Sequence, residues 1–323
     1  MRRRGSMALL VAGLTGATTL AAAQTYPSRP VMIVVPFAAG GGNDIMARLL
    51  AQHMSRALGQ QFVIDNRAGA AGTLGARAVA KSTPDGYTLM VGHSGVFGVA
   101  PSLYGNPGYD PRKDFAPIGL IASFQQILVV HPSLPVHSVK DLLALARNEP
   151  GKISYASAGI GSGSHVSTEL FASMANVKLT HIPYRGSGAA QGDLIAGHVP
   201  MTITTVPPAI AQVRSGLLRA IAVTGDTRLP ILPDVPTVAE SGVAGYVAVI
   251  HYSMVAPAGT PRAIVERLNA ELNAALKSDD VRARIGEEGG DALAGTPEQQ
   301  AADIDAEETK WSAVVRKLGL RAE

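Results

Sequence analysis

The chain contains no cysteine in its 323 residues. A disulfide framework, a lipid-anchored N-terminal cysteine and thiolate chemistry are therefore excluded. Membrane-length apolar runs are missing too. Residues 7–20 are apolar and uncharged, but a span requires about 20 such residues. This segment follows Arg2, Arg3 and Arg4 and leads to Ala21-Ala22-Ala23. A basic start, a short apolar segment and a small-x-small site describe a signal peptide over 1–23, cleaved on export. General and twin-arginine export both stay open, although no Phe-Leu-Lys follows the arginines. Charge of one sign is lacking once this segment is removed. Its three arginines account for the formal surplus of +3, leaving 25 basic and 25 acidic residues. Nothing in that balance favours nucleic acid or an anionic membrane surface. The remainder is long enough for a large core divided between two lobes.

What is present is an alternation of strand and helix patterns. Residues 31–37 are continuously apolar and β-branched, as in a strand buried on both faces. Residues 43–58 place Ile45, Leu49, Leu50, Met54 and Leu58 at helical spacing, and Gly59 reads as the C-cap. Strands are expected at 61–65 and 87–91, with a helix at 72–81 between them. The segment 153–175 repeats strand, glycine-serine loop and helix, and 179–203 follows the order of parts in 62–92. Residues 250–255 read as a strand, 261–276 as a helix and 297–318 as a long amphipathic helix. This alternation implies mostly parallel sheets covered by helices, an α/β fold. The expected organisation is a first lobe at 24–126, a second at 127–252, and a return to the first over 253–323. Two crossings between lobes make a hinge and a cleft.

Glycine-rich loops at the starts of helices point to an anion. Unpaired N–H groups and the positive end of the helix dipole face whatever sits there. Nucleotide fingerprints are nevertheless absent. After Gly40 and Gly42 the third glycine of Gly-x-Gly-x-x-Gly is replaced by Ile45, and after Gly159 and Gly161 by Ser164. Gly192 and Gly197 lead to His198 instead of the Walker lysine. No His-Glu-x-x-His or Cys/His cluster offers a metal site, and no cofactor is expected. Ser94, Ser157, Ser162 and Ser164 lack the Gly-x-Ser-x-Gly spacing of a nucleophile elbow.

The stretches "VVPFAAGGGNDIMARLL", "YASAGIGSGSHVSTELF", "IPYRGSGAAQGDLIAGHV", "LPDVPTVAESG" and "APAGTPRAIVERLNAEL" resemble, in this order, the Bug-type receptors. These are the extracytoplasmic solute-binding components of tripartite tricarboxylate transporters. The resemblance runs along essentially the whole mature chain. It implies a two-lobed, type II periplasmic-binding-protein-like fold, a periplasmic location and a small organic carboxylate enclosed between the lobes. It also implies a large and a small membrane permease subunit as partners. A monomer is expected. In this family the carboxylate is held by backbone amides and ordered waters from two loops. Here those loops fall on Phe37, Ala38, Ala39, Gly40, Gly41, Asn43 and Asp44, and on Ser157, Ala158, Gly159, Ser162, Gly163 and Ser164. His93, Ser94, Tyr184, Thr204 and Thr205 would read the rest of the ligand. Where many members carry Phe-Asp-Asn, this chain has Ile203-Thr204-Thr205, which disfavours an amino-acid ligand.

Several of these residues have plainer readings. Asn43 is a candidate N-cap, as are Ser162 and Ser164. Asp44 either complements the helix dipole or meets ligand through water. His93 in a cleft is open as neutral donor or cation. Arg67 and Arg185 suit structural salt bridges or solvent, Trp311 the core, and the pair Glu307-Glu308 a solvated helix face. A sensor that hands its closed form to a signalling partner would need the same cleft, and so would an exported hydrolase.

Overall fold

The computed structural model describes residues 26–321, so the signal-peptide expectation lies outside the described residues. The chain begins with β1 (Val31–Val35), α1 (Gly42–Leu58), β2 (Phe62–Asn66), α2 (Thr73–Ala80) and β3 (Thr88–His93). A π-helical turn (Gly95–Val99) and α3 (Ala100–Tyr104) lead to a long strand, β4 (Phe115–Val130). Next come α4 (Val139–Asn148), β5 (Ser154–Ser157), α5 (Gly163–Ala175), β6 (Thr180–Pro183), α6 (Ser187–Ile195) and β7 (Met201–Thr205). The remainder is α7 (Val206–Arg214), β8 (Arg219–Val223), β9 (Val249–Pro257), α8 (Arg262–Lys277), α9 (Asp279–Glu287), β10 (Gly290–Ala292) and α10 (Pro297–Leu318).

The two lobes repeat one plan. In the first, β1 lies between β2 and β3 and runs parallel to both. In the second, β5 lies between β6 and β7, again parallel to both. Beyond β3 and β7 the pairing turns antiparallel, to β9 and β4 respectively. Strand β4 serves both sheets, pairing β9 from Phe115 to Gln125 and β7 from Gln126 to Val130. The sequence pattern missed this strand. Pro117 and Gly119 break its periodicity, and β-bulges at those positions absorb the break.

Each lobe has its own core. Ile33, Met46, Leu50, Met54, Leu89 and Leu268 fill the first, and Leu128, Leu142, Tyr155, Phe171 and Ile203 the second. Each such side chain contributes roughly 1.5–3 kcal/mol on burial. Helix α1 ends at Gly59, whose φ of 68° is left-handed as a C-cap requires. Helix α10 starts with a capping box between Thr296 and Gln299 and has Pro297 in its first turn. Its C-terminal half joins the lobes: Trp311 and Val315 pack with Val99 and Leu103 of the first lobe and with the second lobe's core.

The solvated face expected at Glu307 and Glu308 is not found. Glu307 is buried and accepts the Trp311 indole N–H at 2.9 Å, and Glu308 pairs with Arg112 at 2.7 Å. Gly98 explains the burial. A Cβ there would lie 2.9 Å from the Glu307 carbonyl oxygen, so only glycine lets α10 settle onto the π-helical turn.

Candidate functional site

The first loop joins β1 to α1. Gly40 is left-handed at φ 82°, and extended Gly41 begins the helix as N-cap with no side-chain cap bond. The first-turn amides of α1 have no intrahelical acceptor, and among the described residues no side chain caps them. Asn43 is therefore not the N-cap. It lies inside the helix, where its Nδ2 donates to Val91 O at 2.6 Å and its Oδ1 has no partner among the described residues.

Asp44 resolves the oddity of a carboxylate beside an anion loop. It is buried, and three donors of this chain take its oxygens. Oδ2 accepts Gly40 N–H and Arg48 Nε, each at 2.9 Å, and Oδ1 accepts Asn66 Nδ2 at 3.0 Å. The same Nδ2 also donates to Phe37 O at 3.1 Å. Burial alone would raise the Asp44 pKa, but the bonds from Arg48, Gly40 and Asn66 hold it below the ordinary carboxylate value. Asp44 thus folds the loop from behind, and its negative charge is neutralised there.

Behind Phe37 stands a column of rings. Phe37 stacks on His93 with centroids 4.3 Å apart, and His93 on Tyr252 at 5.7 Å. His93 Nδ1 accepts Gly95 N–H at 2.9 Å, so the ring hydrogen sits on Nε2 as a donor. Burial pushes its pKa down to about 4, leaving it neutral near pH 7. Ser94 turns away, accepting the His251 backbone N–H at 3.0 Å.

The second loop, between β5 and α5, has the same place and a different construction. Gly159 and Gly161 are left-handed, at φ 125° and 79°. Ser162 is the N-cap, accepting His165 N–H at 3.3 Å and donating to Gly159 O at 2.7 Å. Ser164 Oγ accepts Ala158 N–H at 2.9 Å, and His165 Nδ1 accepts Gly161 N–H at 3.1 Å. Ser157 Oγ accepts Gly159 N–H at 3.1 Å and shares a hydrogen with His181 Nε2. The His165 and His181 rings stack at 4.2 Å. Burial, with repulsion from His181, pushes His165 down to about 3, and burial pushes His181 down to about 4. Ser157 and His181 have the outline of a nucleophile and its base. Ser157 is fully buried, however, and Tyr155 and His165 stack against the imidazole.

The remaining candidates gather beside this loop. The Tyr184 N–H donates to Ser157 O at 3.0 Å, and its hydroxyl donates to Asp193 at 2.8 Å. Thr204, with Ser164, Ala158, Ser187 and Gln191, lines a small depression between β7, α5 and α6. Thr205 is the N-cap residue of α7, without a side-chain cap bond. Arg67 pairs with Asp65 at 2.7 Å, whereas Arg185 is exposed and makes no ion pair among the described residues. The second loop lies against the first lobe. A Cβ on Gly161 would collide with Leu103 and come within 3.5 Å of Ala71, and one on Gly163 would lie 2.7 Å from Ile250. The clamps themselves, Arg48, Asn66 and His181, were not among the sequence candidates. Asn66 could have been suspected only from the register that pairs it with Val35 at the mouth of the first loop.

Among the described residues, no helix is long and apolar enough to cross a membrane, and no cluster of side chains fits a metal ion. Residues 46–320 match the family described as the tripartite tricarboxylate transporter family receptor. BugT of Bordetella pertussis (strain Tohama I) is 38% identical over 300 residues, spanning 93% of this chain and 92% of that one. The structure of R. palustris Rpa4515 with adipate is similar with a TM-score of 0.88 and 40% identity, over 92% of this chain and 99% of that one. MatC (Rpa3494) from Rhodopseudomonas palustris, with bound malate, gives 0.83 and 36%, over 90% of this chain and 100% of that one. The likeness extends over both lobes and both glycine loops: this chain belongs to the tripartite tricarboxylate transporter receptor family, as a Bug-type solute-binding receptor.

Proposed function

We propose that this protein is a periplasmic receptor that encloses a small organic carboxylate between its lobes and delivers it to a membrane permease of large and small subunits. One observation carries the reading. Two glycine-built loops each open a helix N-terminus, and the carboxylate at the first of them, Asp44, is turned inward and neutralised. Such N-termini favour an anion through their unpaired amides and the helix dipole. The ligand's carboxylate would meet the loop of Phe37, Ala38, Ala39, Gly40, Gly41 and Asn43 on one side, through amides other than that of Gly40, which Asp44 takes. On the other it would meet Ser157, Ala158, Gly159, Ser162, Gly163 and Ser164. His93 Nε2–H, Tyr184, Thr204 and Thr205 would face the rest of the ligand, with Ser94 behind them. No bond of the ligand is made or broken in this reading, and the similarity to adipate- and malate-bound proteins agrees with it.

The test is native mass spectrometry of the exported protein as purified, then thermal shift across di- and tricarboxylates, aromatic acids, amino acids and inorganic phosphate. A true ligand at about 100 times its Kd adds roughly 2.7 kcal/mol to stability. Silence across all the acids, or steady turnover of a carboxylate ester, would sink the proposal.

A further inference from the structure

The two segments that cross between the lobes run as a ribbon, β4 against β9, down to the pair of Gln125 with Val249. Beyond that pair they separate. Gln126 enters the second sheet opposite Thr205, and Ala248 leads back into the second lobe. Thr224, fully buried and one residue past β8, fills the fork. Its N–H donates to Gln126 O, and its carbonyl accepts Ala248 N–H, each at 2.9 Å. Its hydroxyl accepts Gln126 N–H at 2.7 Å and donates to Ala248 O at 2.6 Å. One residue thus bonds both strands, through backbone and side chain alike, where the next rung of the ribbon would have been. Gln125 adds a tie from the more open side, accepting Gly225 N–H at 3.2 Å and donating to Thr227 O at 3.0 Å.

We propose that Thr224 is the pin of the hinge: by holding Gln126 and Ala248 level, it confines bending to the step between them and Gln125–Val249, and so sets the direction of closure. It is a positioning residue, acting on the ligand only through the geometry in which the two loops meet, and in that respect it rests on the receptor reading above. A valine in its place keeps the shape but leaves Gln126 N–H and Ala248 C=O without these partners in a buried position. That drives the two strands to find new ones. A hydroxyl that merely completed a sheet would affect stability alone.

The experiment uses spin labels at Val63→Cys and Leu217→Cys, one in each lobe, in a chain that has no other cysteine. Both positions are half exposed, at 50% and 51%. Interlobe distances are read by pulsed dipolar spectroscopy with and without adipate. Thr224→Val is expected to broaden both distributions and to weaken adipate binding about 10-fold, and Thr224→Ser to restore both. Wild-type distributions in Thr224→Val would overturn the pin even if its melting temperature fell. If that variant does not fold, Thr224→Ala decides, because it also removes both hydroxyl bonds: a broadened distribution supports the pin and an unchanged one overturns it. The ligand-free reading needs no binding at all. A protein that ignores adipate and every other acid would therefore sink the receptor proposal while the hinge test still stands.

Discussion

The two glycine loops occupy equivalent places in equivalent lobes, yet they are held in shape by opposite means. The first is drawn together by charge: a buried carboxylate, Asp44, accepts a backbone amide, a guanidinium and a side-chain amide. The second is drawn together by neutral groups: serine hydroxyls and two imidazoles kept uncharged by burial. On the proposed reading, the backbone shape of the two loops is what a ligand site requires. The clamp behind them is free to vary, provided it adds no net charge toward the cleft.

The sharpest way to break this comparison is Asp44→Ala. It removes the acceptor for Gly40 N–H and Asn66 Nδ2 and is expected to cost about 3 kcal/mol in urea unfolding, together with measurable ligand binding. Near-normal stability and binding would mean that the first loop holds its shape without its charge. A second contrast compares two left-handed glycines. Gly40→Ala meets nothing within 4 Å and carries only the backbone penalty of roughly 1–2 kcal/mol, whereas Gly161→Ala carries that and a collision with Leu103 across the cleft. Calorimetric titration should find affinity lowered at least about 10-fold in Gly161→Ala and within about 3-fold of wild type in Gly40→Ala. Equal losses would mean that the lobes do not close through Gly161.

The smallest effect is one of pH. His165 and His181 bind protons less readily folded than unfolded, where imidazole titrates near 6.5. Their contribution is complete above that value and is lost as pH falls toward about 4 and 3. In the first lobe His93 behaves likewise, but His251 opposes it. Burial lowers the His251 pKa, yet the hydrogen bond and charge of Asp303, with Glu307, raise it overall. The His251 contribution is therefore full below 6.5 and is lost as pH rises through its folded value. Asp44, held below the ordinary carboxylate value, keeps its charge to lower pH than a free carboxylate would. Hydrogen exchange at about pH 6 should accordingly accelerate at 157–165 before it does at 37–44. The reverse order would show that the neutral clamp is the sturdier one.

Much of this was legible in the sequence, unevenly. Helix α10 could be read to its ends because proline, a capping box and a terminal glycine mark them. The positions of both loops could be read because strand, glycine and helix follow one another along the chain. The clamps could not. Asn66 reaches Asp44, and His181 reaches Ser157, only through sheet register, which local periodicity does not encode. Glu307 misled because its burial depends on the missing side chain of Gly98, distant in sequence. Asn43 misled because Gly41 takes the N-cap with backbone alone.

Trp311 is the single tryptophan of the chain and lies where α10 touches residues of both lobes. Its indole lies beside the Glu307 carboxylate and 5.0 Å from the Lys310 ammonium. Indole emission shifts with the local field, and a sliding of the lobes past α10 would alter that field. If the lobes close on a solute as proposed, the molecule carries an optical gauge of its own state that needs no label.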